Sequence, residues 1–100
     1  MNVQGYITKI GEPRTWKTQQ GEDRQSYPIE IKVPFINSKG DEKSDELIGE
    51  HVAANPDYIK RLQEEMVKGT RMEFQLGFYI REWEGKRFQN IKIYNIQILL

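Results

Sequence analysis

Residues 27–35 read YPIEIKVPF, an alternation that puts Tyr27, Ile29, Ile31, Val33 and Phe35 on one side of an extended backbone and Glu30 and Lys32 on the other. The pattern predicts a half-buried strand, with Pro28 and Pro34 at an edge, a bulge or an end because neither can donate to a ladder. Period two returns over 70–81, where Met72, Phe74, Leu76, Phe78 and Ile80 face inward and Arg71, Glu73, Gln75, Gly77, Tyr79 and Arg81 outward. Residues 3–10, VQGYITKI, mix β-branched and aromatic side chains and stop at Gly11, which predicts a first strand. LIGEHVAA, 47–54, reads as a short third strand, and a last strand runs from Arg87 to Leu99. In that last strand Ile91 and Ile93 hold one phase and Ile96 and Ile98 the other, so a bulge is expected near Tyr94-Asn95. Helical spacing occurs once: Ile59, Leu62 and Met66 follow Asn55-Pro56, a capping pair, and precede Gly69, a left-handed stop. The connections are polar. GEPRTWKTQQGED reads as a loop holding Trp16, INSKGDEKSDE predicts a mobile loop over about 37–46, and EWEGK is a tight turn.

The order is three strands, one helix and two strands within 100 residues, enough for a single domain spanning 1–100. All-β with one short helix between the third and fourth strands is the order of the OB-fold, a five-stranded Greek-key barrel. Its loops between strands 1 and 2 and between strands 4 and 5 border the binding groove. Here those two segments, EPRTWKTQ and REWEGKR, combine tryptophan with Arg and Lys. Closing the barrel is expected to bring Trp16 and Trp83 to the rims of one groove.

Charge sharpens this picture only through its distribution. The formal net charge is zero, yet residues 37–67 are acidic, while residues 68–100 set Lys68, Arg71, Arg81, Lys86, Arg87 and Lys92 against Glu73, Glu82 and Glu84. A basic face built from the two ends suits a polyanion; ordinary mixed surface charge is the plainer reading. No window approaches the roughly 18 apolar residues of a spanning helix, so no membrane partner is expected. The first residues lack a secretory pattern and there is no cysteine, so the expected location is cytoplasmic.

Single-stranded nucleic acid offers flat bases and a charged backbone, which aromatic and cationic side chains recognise without reading sequence. Trp16, Tyr79, Trp83 and Phe88 are candidates for stacking; Arg14, Lys17, Lys32, Arg81, Lys86 and Arg87 are candidates for phosphate contacts. Each has a structural alternative. A tryptophan beside a hairpin turn often covers the open end of a barrel, Phe88 can point inward, and Arg81 can pair with Glu73 or Glu84. The same aromatics also suit a protein partner or a glycan. His51 is the sole histidine, so a His/Cys metal site cannot be built, and no phosphate loop or nucleophilic triad appears. No cofactor, metal or catalysis is expected.

KGTRMEFQLGFYIREW (68–83) and EGKRFQNIKIYNIQIL (84–99) resemble the fourth and fifth strands of the bacterial single-stranded DNA-binding protein family, and GYITKIGEPR is a looser echo of its first. The resemblance implies single-stranded DNA, with RNA as a second ligand, as the partner in replication, recombination or repair. It implies base stacking by Trp83, a backbone contact by Arg81, and Phe88 as the aromatic after the turn. Against the family's pattern, Gly77 sits one place late, the third strand lacks aromatic residues and the 37–46 segment is acidic. These departures imply a divergent member, such as a phage, plasmid or mobile-element version. The apolar last strand and the strand edges of so small a barrel predict a homo-dimer or homo-tetramer.

Overall fold

The alternating segments pair as their period requires. In the computed structural model, which describes residues 1–53 and 55–99, the chain runs β1 (Asn2–Ile10), β2 (Arg14–Lys17), β3 (Asp23–Ile36), β4 (Glu42–Ala53), α1 (Pro56–Lys68), β5 (Met72–Trp83) and β6 (Lys86–Ile98). The last residue of the expected third strand, Ala54, lies outside the described residues. The sheet order is β1-β5-β6-β4-β3-β2, and an added β1–β3 pairing closes five of these strands into a ring with β2 outside it. This is the expected five-stranded OB-type barrel. The helix falls between β4 and β5 because the extra strand β2 advances the count by one.

Closure depends on β1, which pairs through Asn2–Gly5 with β5 and through Tyr6–Ile10 with β3. At the handover the backbones crowd. A Cβ on Gly5 would run into the carbonyl oxygen of Lys32, so only glycine lets one strand bridge both neighbours. The other end of the ring is the parallel contact of β4 with β6 at Glu50 opposite Lys92.

Inside lie Ile29, Ile31, Met72, Phe74, Leu76 and Ile93, all nearly inaccessible, with Ile59 and Leu62 of α1 packed against them. The helix forms where expected. Asn55 Oδ1 accepts from the Asp57 N–H at 2.9 Å, Pro56 opens the first turn, and Gly69 stops the last at φ 73°.

Two connections differ from the sequence expectation. The segment taken as a loop around Trp16 is a hairpin, with Arg14–Lys17 of β2 opposite Asp23–Ser26 of β3. The expected 37–46 loop shrinks to a turn at Asn37–Asp41, held by Asn37 Oδ1 accepting from the N–H groups of Lys39 and Asp41. Glu42–Glu46 are strand, paired with Lys32–Ile36. Backbone bonds to β3 impose that conformation on a sequence whose composition resists it.

The long hairpins outrun the core. Phe78 and Ile80 keep the inward phase but are 49% and 57% exposed, because there β5 and β6 have left the barrel as a two-stranded arm. The expected bulge is present. Gln75 opposes Asn95 and Leu76 opposes Ile93, which leaves Tyr94 unpaired.

His51 joins three elements. Its Nδ1 lies 2.8 Å from the Ile93 carbonyl of β6 and its Nε2 3.1 Å from the Tyr58 hydroxyl of α1. A neutral ring satisfies both, donating from Nδ1 and accepting at Nε2. Burial lowers its pKa below the ordinary 6.5, opposed in part by the bond to Ile93.

Two tests follow. Gly5→Ala should destabilise by about 1–3 kcal/mol through overpacking, read by urea denaturation. For His51 the folded pKa lies below the unfolded one, so the unfolded chain takes up more protons as pH falls. Stability should be flat with pH above about 6.5 and decline between about 6.5 and 5, before most carboxylates titrate. In His51→Gln that decline should disappear even if the variant starts less stable.

Candidate nucleic-acid interface

The β5–β6 arm turns at Trp83-Glu84-Gly85-Lys86, with φ of 51° at Glu84 and 75° at Gly85. Positive φ at both central residues is the hairpin geometry that follows the natural strand twist, so the arm stays paired to its tip. Its register runs Trp83–Lys86, Glu82–Arg87, Arg81–Phe88, Ile80–Gln89, Tyr79–Asn90, Phe78–Ile91 and Gly77–Lys92. Directly opposed residues of an antiparallel pair share a face. Trp83, Arg81 and Tyr79 of β5 therefore lie with Lys86, Phe88 and Lys92 of β6 on the outward face.

Trp83 is 62% exposed. It does not cover the barrel end. Phe88 at 48% and Tyr79 at 38% are also open to solvent. Arg81, Trp83 and Phe88 line one shallow cavity of about 450 Å³ with Gln89 and Asn90. Among the described residues Arg81 forms no ion pair, so neither Glu73 nor Glu84 ties it down. Asn90 Nδ2 is buried there without a hydrogen-bond partner.

The register separates Arg87 from this group. It opposes Glu82 on the other face of the arm, with Nε 3.5 Å from Glu82 Oε1. Both side chains are exposed, so the pair is weak.

Tyr94 belongs to the outward face although the sequence left its side open. A Cβ on Gly77 would run into the Tyr94 ring. The ring thus lies over Gly77, 60% exposed, in line with Tyr79. The bulge turns it outward. The only warning in the letters is the phase break.

The remaining candidates lie elsewhere. Trp16, 40% exposed, opposes Arg24, and Arg14 opposes Ser26, whereas Lys17 opposes Asp23 on the other side of the β2–β3 hairpin. Lys32 is outward on β3 opposite Glu46, and lines a separate cavity of about 560 Å³ with Tyr6, Phe35 and Lys43.

Register also locates Trp16 relative to Trp83. Arg24 and Pro28 share a side of β3; Pro28 opposes Glu50, Glu50 opposes Lys92, and Lys92 opposes Gly77. Both indoles are therefore on the outer surface. They do not rim one cleft. β3 and β5 run in the same direction, so the offsets from Arg24 to Pro28 and from Gly77 to Trp83 add. On an unrolled sheet the separation is about 19 Å across the strands and about 33 Å along them. The sequence expectation counted loops and had no access to this offset.

Among the described residues, no helix is long and apolar enough to cross a membrane. No family model matches the sequence, and no curated protein matches it. Solved structures share its fold. A Plasmodium falciparum SSB in complex with ssDNA superposes with a TM-score of 0.50 over 99% of this chain and 92% of that one, at 14% identity. A deletion mutant of the single-stranded DNA binding protein from Thermus aquaticus gives a TM-score of 0.46 at 15% identity, covering 99% of this chain and 49% of that one. The likeness to the Plasmodium falciparum structure shows the fold, an OB-type barrel.

Proposed function

We propose that this chain binds single-stranded DNA without catalysis, stacking bases on outward aromatic side chains and pairing phosphates with neighbouring Arg and Lys. The observation that carries this reading is the outward face of the β5–β6 arm, where Trp83, Phe88 and Tyr79 alternate with Arg81, Lys86 and Lys92 in one register. Stacking there is worth about 1–3 kcal/mol per base, and the cations add a salt-dependent term. The Plasmodium falciparum protein of the same fold is complexed with ssDNA, which supports the reading. These handles do not tell DNA from RNA, since neither a π-face nor a phosphate reports the 2′-hydroxyl.

The setting in which such binding serves is DNA replication, recombination or repair in the cytoplasm. Phe78 and Ile80, exposed on the other face of the arm, favour assembly as a homo-dimer or homo-tetramer. They also favour a second reading, in which the arm is a docking surface for another protein.

Binding to labelled oligo-dT separates the two. Trp83→Ala should weaken it by about 1–3 kcal/mol, while the melting temperature changes little because the indole is mostly solvated. Affinity of the parent protein should fall with salt, with a log–log slope of about −2 for three phosphates neutralised. A protein-docking arm would show neither tryptophan quenching nor this salt dependence.

A further inference from the structure

The outer surface of the barrel is uneven as a seat for a polyanion. Beyond Arg24, which opposes Trp16, the outward positions of β3 and β4 hold Glu30, Glu42, Glu46 and Glu50 against Lys32. Among the described residues the outward positions of this β3–β4 wall carry no aromatic side chain; the nearest rings, Tyr6 of β1 and the half-exposed Phe35, line the separate cavity with Lys32 and Lys43 at the end of the wall away from Trp16. A strand crossing from Trp16 to the arm would pass Glu30 and Glu50 and meet no outward ring on β3 or β4. The arm is the reverse. From Gly77 to Trp83 and from Lys86 to Tyr94 its outward face holds Trp83, Phe88, Tyr79 and Tyr94 with Arg81, Lys86 and Lys92, and no acid. The boundary is sharp, since Lys92 at the inner end of the arm sits directly beside Glu50 of the wall.

Resting on the reading as a single-stranded DNA binder, we infer that the bound strand is confined to the outward face of the β5–β6 arm, between Trp83 and Tyr94. It does not cross the β3–β4 wall to Trp16, although that wall is the usual binding face of the fold. Tyr94 is the inner stacking platform. Its ring is seated on Gly77, where any side chain would displace it, so the platform is in place before ligand arrives. The face from Gly77 to Trp83 is about 20 Å long. At about 3.4 Å per stacked nucleotide that holds about six, near the lower end of the roughly 4–16 known for one OB barrel.

Two single-tryptophan variants test this. Trp16→Phe leaves Trp83 as the reporter, and Trp83→Phe leaves Trp16. Each is titrated with fluorescein-labelled oligo-dT of 4 to 20 nucleotides, with saturation followed by anisotropy. At saturation Trp83 emission should be quenched and Trp16 emission unchanged, with affinity levelling off near six nucleotides. Tyr94→Ala should weaken binding about 5- to 100-fold at unaltered melting temperature. Quenching of Trp16, affinity still climbing beyond about 12 nucleotides, or full affinity in Tyr94→Ala would overturn the confinement while leaving DNA binding intact. If neither tryptophan responds and anisotropy stays flat, the DNA-binding reading itself fails.

Discussion

The barrel stands on a close backbone approach: β1 passes from β5 to β3 at Gly5, against the Lys32 carbonyl. Without that passage the sheet is an open ribbon, and inward and outward lose meaning for the strands beyond it. A second approach completes the ring. A Cβ on Gly49 would come within 2.7 Å of the Ile93 side chain, so glycine there lets β6 press its isoleucines into the interior beside β4. His51, two residues along, anchors the same junction to the helix through Ile93 and Tyr58.

Closure then decides the chemistry of the arm. With Ile93 turned in, Lys92 is turned out, and the ladder carries that phase through Gly77 to Tyr79, Arg81 and Trp83. The proposed binding face is therefore a consequence of packing at the other end of the hairpin. The arm has no core of its own, and its rigidity comes from continuous pairing up to a turn with positive φ at both central residues. A pre-paired ribbon presents its rings at fixed spacing, which limits the ordering entropy that binding has to overcome.

Where local chemistry decides structure, the letters were readable. Asn55-Pro56 and Gly69 bound the helix because capping is settled within a turn. The phase break at Tyr94-Asn95 marked the bulge because a strand cannot change face without one. Where partners decide structure, they were not. All four residues of β2 are exposed, so no alternation distinguishes it from a loop. Glu42–Glu46 look like a solvated linker and are strand only because β3 runs alongside. The set of arm residues was legible, but the side on which each falls was a matter of register. Hence Arg87 was grouped with Trp83 although it faces away, Tyr94 was left out, and Trp16 was placed in a groove that strand offset pulls apart.

The central claim is that one face of one hairpin is the seat for single-stranded DNA. Amide and indole NMR shifts of the 15N-labelled protein during titration with a short oligo-dT address it residue by residue. The account predicts that the largest changes fall on the Trp83 indole N–H and on outward positions between Gly77 and Tyr94, with the β3–β4 wall and Trp16 nearly still. Changes centred on the wall, or none at saturating oligonucleotide, would contradict it.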